Sequence, residues 1–222
     1  MSNITTFYDL ESGPDRKRAL ALLPEFDPAE IKTGNLKDLD KIREKIESAR
    51  ATHEEDWISK AALRPEVAIC LAIGIKHGDD TTILHVNGNG GEESIIKTFW
   101  MMLEESRAQN PCWAGYCSNI FDLPFLTIRS RILGIRVPSG LRRGRYWSQD
   151  LFVDLQDEWL LGRNRMETKS SLGYVAKALG VGEKSGDGKD FADTYAKDEA
   201  KALAYLRNDI ELTAGVGAKL GF

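Results

Sequence analysis

A chain of 222 residues with 42% hydrophobic and 29% charged residues has the makeup of an ordinary globular protein, long enough for one domain with a substantial core. Its net charge of −4 and pI near 5.5 exclude a globally basic nucleic-acid binder, so any basic surface must be local. Cys70, Cys112 and Cys117 are too few for a disulfide framework, the three histidines form no H-x-x-x-H pair, and no stretch reads as a leader or a membrane span. A cytoplasmic protein is expected.

Residues 4–10 are rich in β-branched and aromatic side chains and are predicted to form the first strand, stopped by Gly13-Pro14-Asp15. Residues 14–65 read as a mainly helical insertion with two short patterns: the stripe Leu36, Leu39, Ile42 and Ile46, and a second piece from His53 to Leu63 carrying Trp57. Strands Val67–Ile75 and Thr81–Val86 follow, joined by the hairpin signal Gly78-Asp79-Asp80. Glu92 and Glu93 open a helix with the apolar stripe Ile95, Ile96, Phe99, Met102 and Leu103. Trp113–Tyr116 is a short strand, and Asn119 to Leu133 a helix with Pro124 in its first turn. Leu151–Leu155 reads as another strand and Ser171–Leu179 as a helix ended by Gly180. Gly182 to Gly188 is a loop without the Lys-Ser/Thr of a phosphate-binding turn, and a last helix runs from about Lys197 to Val216.

Acidic chemistry gathers at three points. Asp9 and Glu11, two apart on a strand, point their carboxylates to one face. Burying that pair costs hydration and repulsion, which a divalent cation with its preference for oxygen ligands relieves. Asp122 sits in the first turn of a helix, where the dipole favours a carboxylate and capping alone would explain it. Tyr205 and Asp209 are four apart on the last helix and share a face, as an ordinary surface pair also would.

In that order, Asp-x-Glu on a first strand, Phe-Asp-Leu-Pro-Phe-Leu around Asp122 and Tyr-x-x-x-Asp at 205–209 are similar to the DEDD superfamily of 3′–5′ exonucleases. The Tyr-x-x-x-Asp form resembles its tyrosine branch, with the nearest look that of the proofreading domain of family B DNA polymerases. The resemblance covers residues 4 to about 216 apart from the insertion. It implies an α/β ribonuclease H-like fold, a central mixed sheet flanked by helices, with 1–222 as a single exonuclease domain carrying the 14–65 insertion. It implies that Asp9, Glu11, Asp122 and Asp209 hold two Mg²⁺ or Mn²⁺ ions and that Tyr205 orients the attacking water. The reaction implied is removal of nucleoside monophosphates from a free 3′ end. Single-stranded DNA is the expected substrate, although sequence does not separate DNA from RNA. Cys117 departs from the pattern, since relatives often carry Asn there; Asn119 is a candidate to take over that role.

Between Leu123 and Gln149 there is no Asp or Glu, while Arg129, Arg131, Arg136, Arg142, Arg143 and Arg145 are present, followed by Tyr146 and Trp147. Guanidinium groups pair with phosphates and aromatics stack on bases, so Arg129, Arg142, Arg143, Arg145 and Trp147 are the expected nucleic-acid contacts. A solvated basic face is the plainer account of the same composition. Two other readings stand beside the enzyme: a catalytically silent nucleic-acid-binding module, and an interaction subunit docking a protein partner through residues 14–65.

Overall fold

The computed structural model describes residues 5–106, 112–138 and 151–222. They divide into one unit of residues up to Ser12 together with Cys70–Phe222, and a second of Gly13–Ile69. Strand β1, Thr5–Pro14, opens the first unit and runs four residues past its predicted end.

In the second unit, helix α1 (Arg16–Ala21) is capped by the Asp15 carboxylate, which accepts the Arg18 N–H at 3.0 Å. Helix α2 is a single element, Leu39–Ser59, that merges the two predicted pieces. The Trp57 indole N–H donates to the Ala19 carbonyl at 2.8 Å, and the small core is Ala19, Ala61 and Val67 with Trp57 and Ile58 against it. The expected stripe is not a packing face: no residue of α2 is buried, and Leu39 is 70% exposed.

In the first unit, β2 (Ala68–His77) and β3 (Asp80–His85) form the expected antiparallel hairpin. Helix α3 (Glu92–Ser106) follows, then β4 (Cys112–Gly115), α4 (Asp122–Ile132) and β5 (Phe152–Asp154). Helices α5 (Leu155–Leu160), α6 (Leu172–Ala178), α7 (Phe191–Lys197) and α8 (Glu199–Leu220) complete the unit. Two of these, α5 and α7, have no counterpart in the sequence reading. The sheet order is β3-β2-β1-β4-β5, with β4 parallel to β1 and β5 parallel to β4, so the sheet is mixed as expected. No helix among the described residues is long and apolar enough to cross a membrane.

Strand alternation in β1 sorts its side chains to two cores. Tyr8 turns to one face, where its ring lies 5.6 Å from Phe99, 5.7 Å from Phe152 and 6.1 Å from Trp113. Phe7 turns to the other, in a cluster with Leu172, Val175, Ile210 and Val216 of α6 and α8. Gly217 makes that approach possible, because a Cβ there would overlap the Phe7 ring. Asp9 and Glu11 follow Phe7 at period two and so belong to the α8 face. In register, β1 pairs with β4 only from Thr5 to Phe7, and its later residues outrun the C-terminal ends of β4 and β5. That overhang at the carboxyl ends of parallel strands is where open α/β sheets place their ligands.

Candidate active site

Helix α8 delivers the partner acid. Among its buried positions, Ala202, Leu206, Asp209, Ile210, Thr213, Val216 and Gly217 recur at threes and fours, so Asp209 lies within the core-facing stripe and is 2% exposed. Carboxylate oxygens of Asp9, Glu11 and Asp209 lie within 4.8 Å of one another. Asp122 stands outside that trio at the first residue of α4, 3% exposed, and close enough for the charges of Asp9 and Asp122 to oppose each other.

Burial and mutual repulsion set the protonation of the cluster. Asp9 is raised from 3.8 to about 7, first by desolvation and then by the Asp209 charge. Burial, followed by the charge of Asp9, drives Glu11 and Asp122 well above the ordinary carboxylate range. Lys184 opposes this: its Nζ lies 2.7 Å from Asp209 Oδ2, and its charge lowers both Asp9 and Glu11. The same ammonium sits 5.3 Å from the centre of the Tyr205 ring. Tyr205 itself is partly buried one helical turn before Asp209, and desolvation, then the charges of Asp209 and Glu11, push its hydroxyl far up.

The donors suit a hard divalent cation. All are oxygens, and Asp209 Oδ1 and Asp122 Oδ2 are buried without a hydrogen-bond partner among the described residues. A divalent cation would stabilise carboxylate oxygens in that state, adding to the one ammonium, Lys184, that reaches Asp209 Oδ2. The loop after α6 lies against this cluster. A Cβ on Gly186 would press on the Tyr205 ring at 3.1 Å, and one on Gly188 would meet its hydroxyl at 3.6 Å and Glu11 Oε2 at 3.8 Å. Beside Tyr205, a cavity of about 420 Å³ is lined by Gly186, Phe191, Thr194, Lys201 and Asn208 among others.

The Arg expectation divides. Arg129 is corrected: it is 2% exposed, and its Nη2 and Nε donate to the two oxygens of Glu92 at 2.6 and 2.7 Å. It ties α4 to the start of α3, where Glu92 also accepts the Cys70 N–H at 2.8 Å, and no phosphate reaches a guanidinium so enclosed. Arg142, Arg143, Arg145 and Trp147 lie outside the described residues.

Lys184 and Asp154 were not singled out from sequence. Lys184 sits in a loop read only as flexible; a cation in a glycine-rich segment shortly before Tyr-x-x-x-Asp was the available signal. Asp154 ends β5 and its carboxylate accepts the Cys117 and Asn119 backbone N–H groups at 2.9 and 3.1 Å. The backbone at Cys117 is left-handed, with φ of 61°. Asn tolerates that conformation better than Cys, which gives a physical meaning to the departure at this position.

The family profile described as "Predicted 3'-5' exonuclease related to the exonuclease domain of PolB" matches residues 55–213, a span that takes in Asp122, Tyr205 and Asp209 and leaves β1 outside. No curated protein matches the chain. Among solved structures, the fold is similar to the family B DNA polymerase from the hyperthermophilic archaeon Pyrobaculum calidifontis, with a TM-score of 0.61 at 18% identity. The similarity takes in 99% of this chain and 25% of that one, so the chain spans about a quarter of the polymerase's length. The mixed sheet flanked by helices and the matched residues agree, and the chain belongs to the family of predicted 3′–5′ exonucleases related to the exonuclease domain of PolB.

Proposed function

We propose that the chain is a single exonuclease domain, with an inserted helical segment, that hydrolyses the terminal phosphodiester at a 3′ end of nucleic acid. The first substrate to expect is single-stranded DNA. The observation that carries this reading is the meeting of Asp9, Glu11 and Asp209 oxygens within 4.8 Å beside a buried, unpartnered Asp122 oxygen. Asp9, Glu11, Asp122 and Asp209 would hold two divalent ions, Mg²⁺ or Mn²⁺. Such ions, when bound, lower the pKa of water and stabilise charge on the attacking and leaving oxygens.

The protein's own groups do the rest. A phenol titrates near 10 and burial raises Tyr205 in the metal-free protein, so its hydroxyl is suited to orient water by hydrogen bonding. Water oxygen bonds to phosphorus, the bond from phosphorus to the 3′ oxygen of the penultimate nucleotide breaks, and that oxygen takes a proton. A nucleoside 5′-monophosphate leaves a strand shortened by one. The Lys184 ammonium neutralises part of the carboxylate charge and lowers the repulsion an incoming phosphate meets. Arg142, Arg143, Arg145 and Trp147 are the proposed strand contacts, and the inserted segment is the proposed docking point for a protein partner.

The test is incubation of 5′-labelled single- and double-stranded DNA and RNA with Mg²⁺, Mn²⁺ or EDTA. Stepwise shortening of the single strand with metal, none in EDTA and none with Asp9→Ala is the expected result. A protein that binds strand and Mn²⁺ but shortens nothing belongs to the silent binding modules instead.

A further inference from the structure

Asp154 is a buried carboxylate that the proposed chemistry does not use. It is 3% exposed at the C-terminal end of β5, in register with Gly115 of β4. Oδ1 accepts the N–H of Cys117 at 2.9 Å and that of Gln156 at 2.9 Å; Oδ2 accepts that of Asn119 at 3.1 Å and faces Arg165 Nη2 at 3.6 Å. Two of those N–H groups belong to the turn joining β4 to α4. In that turn Cys117 holds a φ of 61°, a left-handed conformation that strains a residue with a Cβ. The two hydrogen bonds from that turn to one buried carboxylate hold it in its left-handed form. The turn then feeds α4 directly. Phe121 N–H bonds to the Cys117 carbonyl at 3.2 Å and Leu123 N–H to that of Ser118 at 3.0 Å, with Asp122 between them.

We infer that Asp154 is a positioning residue, whose carboxylate clamps the Cys117–Asn119 turn so that α4 presents Asp122 to the divalent-cation site formed with Asp9, Glu11 and Asp209. The inference rests on the metal-site reading above. Arg165 completes the device. Its guanidinium pairs with Asp154 and Asp157 and contacts Cys117 Sγ at 3.7 Å, so the clamp's charge is partly balanced.

Asp154→Asn, Cys117→Gly and the double variant separate this from a plain folding role. The amide of Asn keeps one acceptor oxygen but turns an NH₂ toward one of the backbone donors. Mn²⁺ titration calorimetry on Asp154→Asn should show affinity reduced about 10–100-fold, the range seen when groups supporting metal ligands are changed. Turnover should fall while KM for the strand stays put. Cys117→Gly removes the left-handed strain that the clamp holds, so adding it to Asp154→Asn should restore Mn²⁺ affinity to within about threefold of the parent. Parent-like Mn²⁺ binding by Asp154→Asn overturns the inference. So does a defect that Cys117→Gly leaves untouched, with a lowered melting temperature, because that marks general loss of folding. A parent that binds Mn²⁺ through Asp122 yet cuts no strand refutes the exonuclease reading alone, with the clamp still judged on binding. A parent that binds no Mn²⁺ overturns both.

Discussion

Replacing Asp9 with Asn should make the metal-free protein more stable while removing its activity. Asp9 is raised from 3.8 to about 7 by burial and the Asp209 charge, a rise worth about 4 kcal/mol. Asp9 retains partial solvent exposure, which screens the charge and brings the figure to about 2 kcal/mol. Between about pH 4 and 7 the folded protein keeps a proton that the unfolded chain has released, so stability falls as pH rises through that interval, and the full cost is present above 7. An uncharged isostere does not carry it. At about 2–4 °C per kcal/mol for a unit of this size, Asp9→Asn should melt roughly 4–8 °C above the parent at pH 8 in EDTA. The gap should be smaller at pH 5, where part of the folded protein keeps the Asp9 proton, and should vanish below about pH 4. Mn²⁺ should raise the melting temperature of the parent at pH 8 and do little for the variant, since a ligand stabilises only a state it binds. Calorimetric scans at both pH values, with EDTA and with Mn²⁺, decide it. Equal melting temperatures at pH 8 in EDTA, together with an intact Mn²⁺ response in the variant, would show that Asp9 neither bears a strained charge nor holds a metal.

Tyr205→Phe keeps the ring against Phe191 and removes the hydroxyl, so turnover should drop by about 10²-fold with strand affinity unchanged in filter binding; full turnover would remove Tyr205 from the chemistry. Arg129→Met leaves the Glu92 charge buried without its main partner and should cost about 3–5 kcal/mol in urea unfolding, with Glu92→Gln added on top recovering part of it. Strand affinity in folded Arg129→Met should match the parent, and a weakened salt slope there would restore Arg129 as a phosphate contact. Arg142→Ala with Arg143→Ala should flatten the log-log salt dependence of single-strand binding by about 0.7 per charge removed, while Trp147→Ala should cost about 1–3 kcal/mol with the slope unchanged. Overlaid curves at every salt concentration would move the strand path elsewhere.

How much of this was legible depended on the range of the signal. Long, strongly patterned segments declared themselves: the β2–β3 hairpin, α3 and α8 fall where their periodicity predicts. The Asp9, Glu11 and Tyr205, Asp209 spacings also fix which face each side chain shares. Two short helices did not show, α5 and α7, which lack the bounding stop signal that Gly180 gives α6. Arg129 misled for a related reason. Composition places it in a basic run, but its position on α4 turns it inward onto Glu92, thirty-seven residues away, and no local pattern announces a pair at that separation. Lys184 and Asp154 share that difficulty, each acting on a segment brought near only by the fold.

The placement of the acids is hard to account for as stabilising structure. In α8, the positions before and after Asp209 in the buried stripe are Leu206, Ile210 and Thr213, and an apolar residue at 209 would extend the packing with no electrostatic cost. In β1, Glu11 is 8% exposed and opposed by the charges of Asp9 and Asp209. The Lys184 ammonium bonds to Asp209 and leaves Asp209 Oδ1 and Asp122 Oδ2 without partners among the described residues. A fold selected only for stability would not keep three carboxylates with oxygens within 4.8 Å of one another on a central strand and a core-facing helix stripe. Mounted on a central strand and the core face of a long helix, the same groups hold their geometry without collapsing away from each other. Rigid support for mutual repulsion is what a site needs if its missing positive charge arrives with a cation, and it ties the low metal-free stability predicted for Asp9 at pH 8 to the position of the site itself.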